Sequence, residues 1–332
     1  MKFGSSPEHW TQLTLAFPES PLNWFRRTRR RAGWMVLDAR NDELAAVHGE
    51  HAPSGKPHVH QFSVQAIESP KTGLERGRRE LGLHQYQCAT LLGPDEYQIV
   101  VVERPNVPRE ELKTAIRWRI KDLLDQHVDD VTLDVLDIPV PSDTNSRTPM
   151  MYAIAARNEV IQRRISQFES AGVTLAVIDI EETAQRNVSA LFEEPDRAVA
   201  TLYMGEKGGL LTVNYRGELF LSRRFEASLD DIPSTDANVR DATHERIVLE
   251  LQRSFDHFER QFRSIPIGRL LLAPEPVASG LLDTLAKGLG IKVQSIDLND
   301  VLAIAGGPMP ERLQWRLFHP LGAALRHEAM VL

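Results

Sequence analysis

Apolar and polar positions along the 332 residues fall into two blocks that open alike. In the first, Trp34-Met35-Val36-Leu37-Asp38 predicts a strand, Arg40-Asn41-Asp42-Glu43 a turn, and Leu44-Ala45-Ala46-Val47-His48 the returning strand. Gln61 to Val64 predicts a third strand, residues 74–81 a helix, and residues 86–92 and 97–103 a further strand pair. Behind Pro105 and Pro108, the residues Leu112, Ala115, Ile116, Ile120, Leu123 and Leu124 recur at helical spacing. Glu110 and Glu111 fall in that helix's first turn, where negative charge complements the helix dipole. Strands are expected at 131–138, 150–156 and 173–180, and helices at 158–171 and 181–193. Gly172 supplies a C-terminal cap for the first of these helices.

After Glu193-Glu194-Pro195-Asp196 the pattern restarts. Residues 198–204 and 208–214 predict strands, Tyr215-Arg216-Gly217-Glu218 a hairpin turn, and 219–225 the next strand. Ile247, Leu251, Phe255, Phe258 and Phe262 mark one face of a long helix over 244–262. A strand at 268–272, a helix at 281–289 and a short strand at 293–296 follow. Strand, turn and strand thus occur twice, beginning near Gly33 and near Ala198, which predicts a duplicated α/β lobe. The expected organisation is a segment 1–32, a first lobe 33–194 with an inserted α+β subdomain at about 86–156, and a second lobe 195–332.

Composition adds limits rather than chemistry. Apolar residues make up 42% and charged residues 26%, an ordinary globular mixture. A net charge of −7 gives the whole molecule no general attraction for nucleic acid or anionic lipid. The single cysteine, Cys88, allows no disulfide within the chain and fits a reducing compartment. No window approaches the roughly 18 to 20 apolar residues of a spanning helix. A soluble, cytoplasmic protein is therefore expected. One local exception stands near the start, where Leu22, Trp24 and Phe25 precede Arg26, Arg27, Arg29, Arg30 and Arg31. Two readings stay open for it: a basic-aromatic segment that touches an anionic membrane face, or a solvated tail.

Four segments carry a family resemblance. Glu111-Leu112-Lys113-Thr114-Ala115-Ile116-Arg117-Trp118-Arg119-Ile120 resembles the acidic-Leu-Lys-x-Ala-Ile-x-Trp helix of the type IV pilus assembly proteins of the PilM family and their MSHA-pilus counterparts, the MshI proteins. Leu251 to Glu259 is similar to the long second-lobe helix of that family, and Val177-Ile178-Asp179-Ile180-Glu181 to its acidic strand-to-helix junction. Leu321-Gly322-Ala323-Ala324-Leu325-Arg326 resembles its closing helix. The match spreads over residues 33–326 in patches. The resemblance implies an actin-like (ribonuclease H-like) two-lobed α/β fold. It implies a place under the inner membrane, and a partner in the cytoplasmic tail of a PilN-like bitopic membrane protein. It also implies contact with pilus motor or platform proteins, and it assigns Trp118, Arg117 and Ile120 to the docking helix.

The same family binds nucleotide through three small-residue turns, and this chain departs at each. The family's Asp-x-Gly-Ser-Ser-Ser loop is here Asp38-Ala39-Arg40-Asn41-Asp42-Glu43, which keeps the Asp and loses the Gly. The second loop is Tyr203-Met204-Gly205-Glu206-Lys207-Gly208-Gly209, with a Tyr where the family has Asp. The late Gly-Gly turn is replaced by Ala273-Pro274-Glu275-Pro276, whose prolines remove backbone donors. Asp38, Gly205, Lys207, Gly208 and Gly209 remain as candidates for Mg-ATP, or as hairpin turns on an inherited fold.

Other chemistry is sparse. His51, His58 and His60 form the one local histidine group, without a cysteine or carboxylate at ligand spacing. Cys88 sits in an apolar strand and reads as core. No catalytic residue and no metal site is assigned. The expected function is a pilus-assembly scaffold. The alternative is an actin-like ATPase whose nucleotide state regulates partner binding. A sugar-kinase-like enzyme needs an intact phosphate loop that the sequence lacks.

Overall fold

The computed structural model describes residues 30–40, 42–52, 55–140, 148–227 and 231–326. Of the basic segment, Arg26, Arg27 and Arg29 lie outside the described residues, as does Asn41 of the first turn.

The first lobe begins with β1 (Trp34–Arg40), β2 (Glu43–Glu50) and β3 (His58–Ala66), an antiparallel meander. Helix α1 (Pro70–Leu81) follows, and β4 (Gln87–Leu91) then runs parallel to β1. Much later β8 (Leu175–Asp179) adds parallel to β4. The order is β3-β2-β1-β4-β8. The second lobe repeats it. β9 (Ala198–Gly205), β10 (Gly208–Tyr215) and β11 (Glu218–Phe225) form the meander, and β12 (Ile267–Leu272) and β13 (Lys292–Ser295) add in parallel, giving β11-β10-β9-β12-β13. The duplication expected from the repeated strand pattern is thus a duplication of topology.

Local chemistry explains the elements. β1 is buried from Trp34 to Ala39 because it lies inside the sheet with layers on both faces. Met35 and Leu37 face one apolar cluster and Trp34 and Val36 another, the alternation that a strand imposes. The β10–β11 turn has Arg216 at φ 53° and Gly217 at φ 75°, the positive pair that a two-residue hairpin needs. Helix α1 starts at Pro70, four residues earlier than its apolar spacing indicates, because Ser69 and Thr72 form a reciprocal cap. Helix α5 (Ala237–Gln261) likewise starts seven residues before the expected 244, where the Asp236 side chain accepts from Asn238 N–H.

Between β4 and β8 the chain builds a small sheet of β5 (Tyr97–Glu103), β6 (Val131–Ile138) and β7 (Met150–Arg157), in the order β5-β7-β6. Helices α2 (Leu112–Ile120) and α3 (Asn158–Ser170) accompany it. One face of this sheet packs Met151 and Ala153 against α2; the other turns Tyr152 and Ile154 toward the second lobe's core. Two expectations need correction here. β4 belongs to the main sheet, so the insertion begins after Leu92 rather than near residue 86. α2 ends at Ile120, and Leu123 is exposed rather than on the buried face.

The chain's last elements cross back to the first lobe. β14 (Ala303–Ile304) pairs parallel with β3. α7 (Glu311–Ala324) lies between α4 (Glu181–Ser189) and the first sheet, sharing a core with Trp34, Val36, Val47 and Ala184. α6 (Leu281–Gly288) covers the second sheet beside α5. The second-lobe range 195–332 therefore holds elements that finish the first sheet.

Candidate functional site

The two meander turns, β1–β2 and β9–β10, face one cleft. Its cavity of about 500 Å³ is lined by Asp38 and Arg40 from the first turn and by Tyr203, Gly205, Lys207 and Gly208 from the second. Glu181, Arg224, Arg316 and His319 complete the inner wall.

Asp38 is fully buried at the end of β1. Arg40 donates from Nε to its Oδ1 at 2.8 Å, and Arg316 of α7 donates from Nη1 to its Oδ2 at 2.9 Å. Burial alone would raise its pKa, but the two guanidiniums outweigh that and hold the carboxyl down at about 2. Both oxygens face cations of the protein itself. Arg40 goes on to Glu181 Oε1 at 2.7 Å, and Arg224 of β11 reaches Glu181 Oε2 at 3.1 Å and Glu182 Oε1 at 2.8 Å. The Tyr97 hydroxyl donates to Glu182 Oε2 and receives from Arg224 Nη2 at 2.6 Å. Carboxylates of Asp38, Glu181 and Glu182 are thus matched by guanidiniums of Arg40, Arg224 and Arg316 in one chain of ion pairs.

Environment sets the two glutamates apart. Burial pushes Glu182 upward, against the pull of Arg224. Glu181 is equally buried, yet His319, Arg40 and Arg224 bring it below the usual carboxylate range. His319 is desolvated so strongly that its pKa falls to about 4, with Glu181 resisting the fall, so at neutral pH it is the neutral imidazole. Its Nε2 lies 3.2 Å from Gln185 Oε1, and Gln185 Nε2 donates to the Thr201 carbonyl at 2.9 Å.

The second turn is closed by packing. Tyr203 stands where a metal-holding Asp was sought and lies against His319 (4.2 Å between ring centroids), Phe318 (5.6 Å) and Trp315 (6.4 Å). Trp315 Nε1 donates to the Met204 carbonyl at 3.0 Å, tying α7 to β9. The glycines serve this packing. A Cβ at Gly209 would fall 2.3 Å from the Phe225 ring, and one at Gly208 would fall 2.4 Å from the Phe225 carbonyl oxygen. Their small size answers to β11. Lys207 alone of the second-turn candidates presents a charge to the cleft. In the late turn, Glu275 is taken by Ser279 Oγ at 2.6 Å.

These residues do not fit a magnesium nucleotide. Both oxygens of the one retained acidic residue carry intramolecular ion pairs, the second acidic position is an aromatic ring, and Arg316 lies against the first turn, donating also to Glu43. Of the cleft residues, Asp38, Gly205, Lys207 and Gly208 were legible from the sequence. Arg40 and Glu181 lie in recognisable segments without an expected role, whereas Tyr97, Arg224, Arg316 and His319 gave no signal because they come from three distant elements, β5, β11 and α7.

The docking candidates separate. Trp118 projects from α2 with 70% of its surface exposed. Arg117 turns inward, donating to the carbonyls of Val128 and Val131, and braces the turn before β6. Ile120 is fully buried with Leu112 and Ile116, so it anchors α2 and its side chain is not offered to a partner. Among the described residues no helix is long and apolar enough to cross a membrane. No group of three or more ligand-type side chains could hold a metal ion there either. Cys88 is buried, and desolvation pushes its thiol up to about 12.

The sequence matches no protein-family model and no curated protein. Solved structures do match. The PilM–PilN type IV pilus biogenesis complex superposes with a TM-score of 0.69 at 20% identity, over 89% of this chain and 98% of that chain. A protein of Bacteroides thetaiotaomicron described as having an actin-like ATPase fold and unknown function gives a TM-score of 0.48 at 10% identity, over 83% of this chain and 94% of that one. The cytoplasmic domain of EpsL, an inner-membrane component of the type II secretion system of Vibrio cholerae, gives 0.47 at 10% identity, over 87% and 95%. The doubled strand order and the superposition over 89% of the chain together establish an actin-like, two-lobed α/β fold.

Proposed function

We propose that the chain is a cytoplasmic scaffold of a type IV, MSHA-like pilus biogenesis machine, and that it binds the cytoplasmic tail of a PilN-like inner-membrane protein without a hydrolytic cycle. The observation that carries this reading is the internal neutralisation of the cleft: Asp38 is held on both oxygens by Arg40 and Arg316. Arg224 of the second lobe continues the same ion-pair chain to Glu181 and Glu182, so separating the lobes would expose buried unpaired charge and the pair acts as a rigid platform. The 70%-exposed Trp118 on α2 supports a docking role, since a large aromatic left in water is the usual anchor of a recognition surface. The resemblance of the α2 sequence to the PilM-family helix supports the same surface. Arg26, Arg27, Arg29, Arg30 and Arg31 place positive charge where a membrane-proximal scaffold would use it.

The test has two arms. Isothermal titration with a synthetic PilN-type N-terminal tail should show saturable binding that Trp118→Ala weakens about thirtyfold or more; absence of binding to the unaltered chain sinks the proposal. Thermal unfolding with millimolar Mg-ATP should leave the midpoint unmoved. A ligand at 100 times its dissociation constant would stabilise by about 2.7 kcal/mol. A second reading, in which nucleotide state regulates partner binding, draws on the 500 Å³ cavity and its Lys207. A clear upward shift with Mg-ATP, lost in Lys207→Ala, would favour it.

A further inference from the structure

Where the chain enters the fold, a cation and four rings lie in line. Arg31 donates its backbone N–H to the Gln85 carbonyl at 2.7 Å and its Nη1 to Tyr86 Oη at 3.0 Å. Its guanidinium sits over the Tyr86 ring, 5.4 Å from the centroid. Tyr86 meets His48 edge-on at 4.6 Å, His48 stacks on His60 at 4.8 Å, and His60 stacks on His58 at 6.1 Å. The ladder crosses the ends of β2 and β3.

Its two halves differ. His48 is buried, with Nε2 2.8 Å from the Ala32 carbonyl oxygen; burial, with His60 and Arg31, keeps its pKa low. His58 and His60 are exposed, as are Arg30, Arg31 and Lys56 around them. Of the elements packed here, β2 contributes Glu50, whose carboxylate lies 3.0 Å from His60 Nε2. The entering segment contributes Arg30 and Arg31, β14 contributes only Ala303 and Ile304, and His51 follows Glu50 in sequence. Cations therefore outnumber the single contacting carboxylate on a molecule whose net charge is −7. Arg26, Arg27 and Arg29 precede this point directly in sequence and extend the same sign.

We propose that this end of the first sheet is a docking surface for an anionic phospholipid bilayer. Clustered basic residues are drawn to the negative potential of such a surface. The local sign opposes that of the whole chain, so the surface also fixes orientation. The proposal rests on the reading above that the chain works against a membrane.

Co-sedimentation of the full chain with vesicles tests it. Neutral phosphatidylcholine vesicles should capture none. Vesicles containing phosphatidylglycerol should capture the chain, and about tenfold more weakly at high salt. Arg30→Ser with Lys56→Ser should weaken that capture several-fold, about threefold or more. Equal capture by neutral vesicles, or an RNA competitor that removes the chain as readily as lipid holds it, overturns the surface. Undiminished capture of the Arg30→Ser, Lys56→Ser variant overturns the role of those two residues alone. No capture under any condition overturns both and leaves tail docking at Trp118 standing.

Discussion

Arg316 and Asp38 are 278 positions apart in sequence, and their side chains meet at 2.9 Å. The closing helix thereby reaches the end of the first strand and occupies the oxygen that a bound cation would need. Removing that arm should cost stability and restore nothing. Arg316→Ala leaves a fully buried carboxylate with one partner, and breaking a buried pair typically costs about 3 to 5 kcal/mol. Urea unfolding should show a loss toward the lower end, since Arg316 is partly exposed. A variant as stable as the original would mean that the pair is idle.

Acid should weaken the fold in two stages. The His319 pKa falls to about 4 in the native state, against the ordinary histidine value of 6.5. The unfolded chain then binds more protons between those values, so stability drops as pH falls through that window. The full difference corresponds to about 3 kcal/mol. Asp38 carries a native pKa of about 2 against 3.8, so its contribution is lost only below about pH 4. Unfolding midpoints measured from pH 7 to 4 should decline, and His319→Gln should flatten the decline.

Gly322→Ala should destabilise despite the better helix propensity of alanine. The propensity gain is about 1 kcal/mol. Against it, a Cβ at Gly322 would lie 2.0 Å from the Ala184 carbonyl oxygen, backbone that cannot swing aside. Overpacking of this kind costs about 1 to 3 kcal/mol and sometimes more. A raised melting temperature would refute the close α4–α7 crossing.

Trp118→Ala should separate binding from folding. With 70% of the residue in water, its removal should change stability by less than about 0.5 kcal/mol. Loss of an aromatic anchor should weaken the tail complex by about 2 kcal/mol or more, some thirtyfold. Parallel unfolding curves and titrations give both numbers from one preparation.

Cys88 should resist thiol reagents until the protein unfolds. It is buried and its thiol is pushed up to about 12, so little thiolate exists at neutral pH. Rapid labelling of the native chain would contradict the burial of β4.

Much of the fold was legible because period and caps are local. The meander β1–β3, the turn at Arg216-Gly217 and the apolar face of α5 are written in neighbouring residues. The cleft was legible only on its turn side. Asp38 and Lys207 stand in recognisable loops, but the second partner of Asp38 comes from α7 and that of Glu181 from β11, and periodicity says nothing about which distant arginine will arrive. Ile120 and Trp118 show the same limit within one helix. Both looked like partner candidates beside the same motif, and only the placement of the small sheet under α2 decides which is buried. Gly208 and Gly209 of the second turn carry a further constraint that the loop alone does not show: a Cβ at either would meet Phe225 of β11.

The return of β14 and α7 to the first lobe has a consequence for synthesis. Strands β1 to β4 leave the ribosome early, yet the face bearing Trp34, Val36 and Val47 is covered only when Leu317, Phe318 and Leu321 have been made. A growing chain therefore carries a bare apolar sheet through most of its translation, the kind of surface that holds nascent chains in the care of chaperones. Fragments cut near residue 194 inherit that exposure permanently, and should aggregate rather than behave as a free-standing lobe.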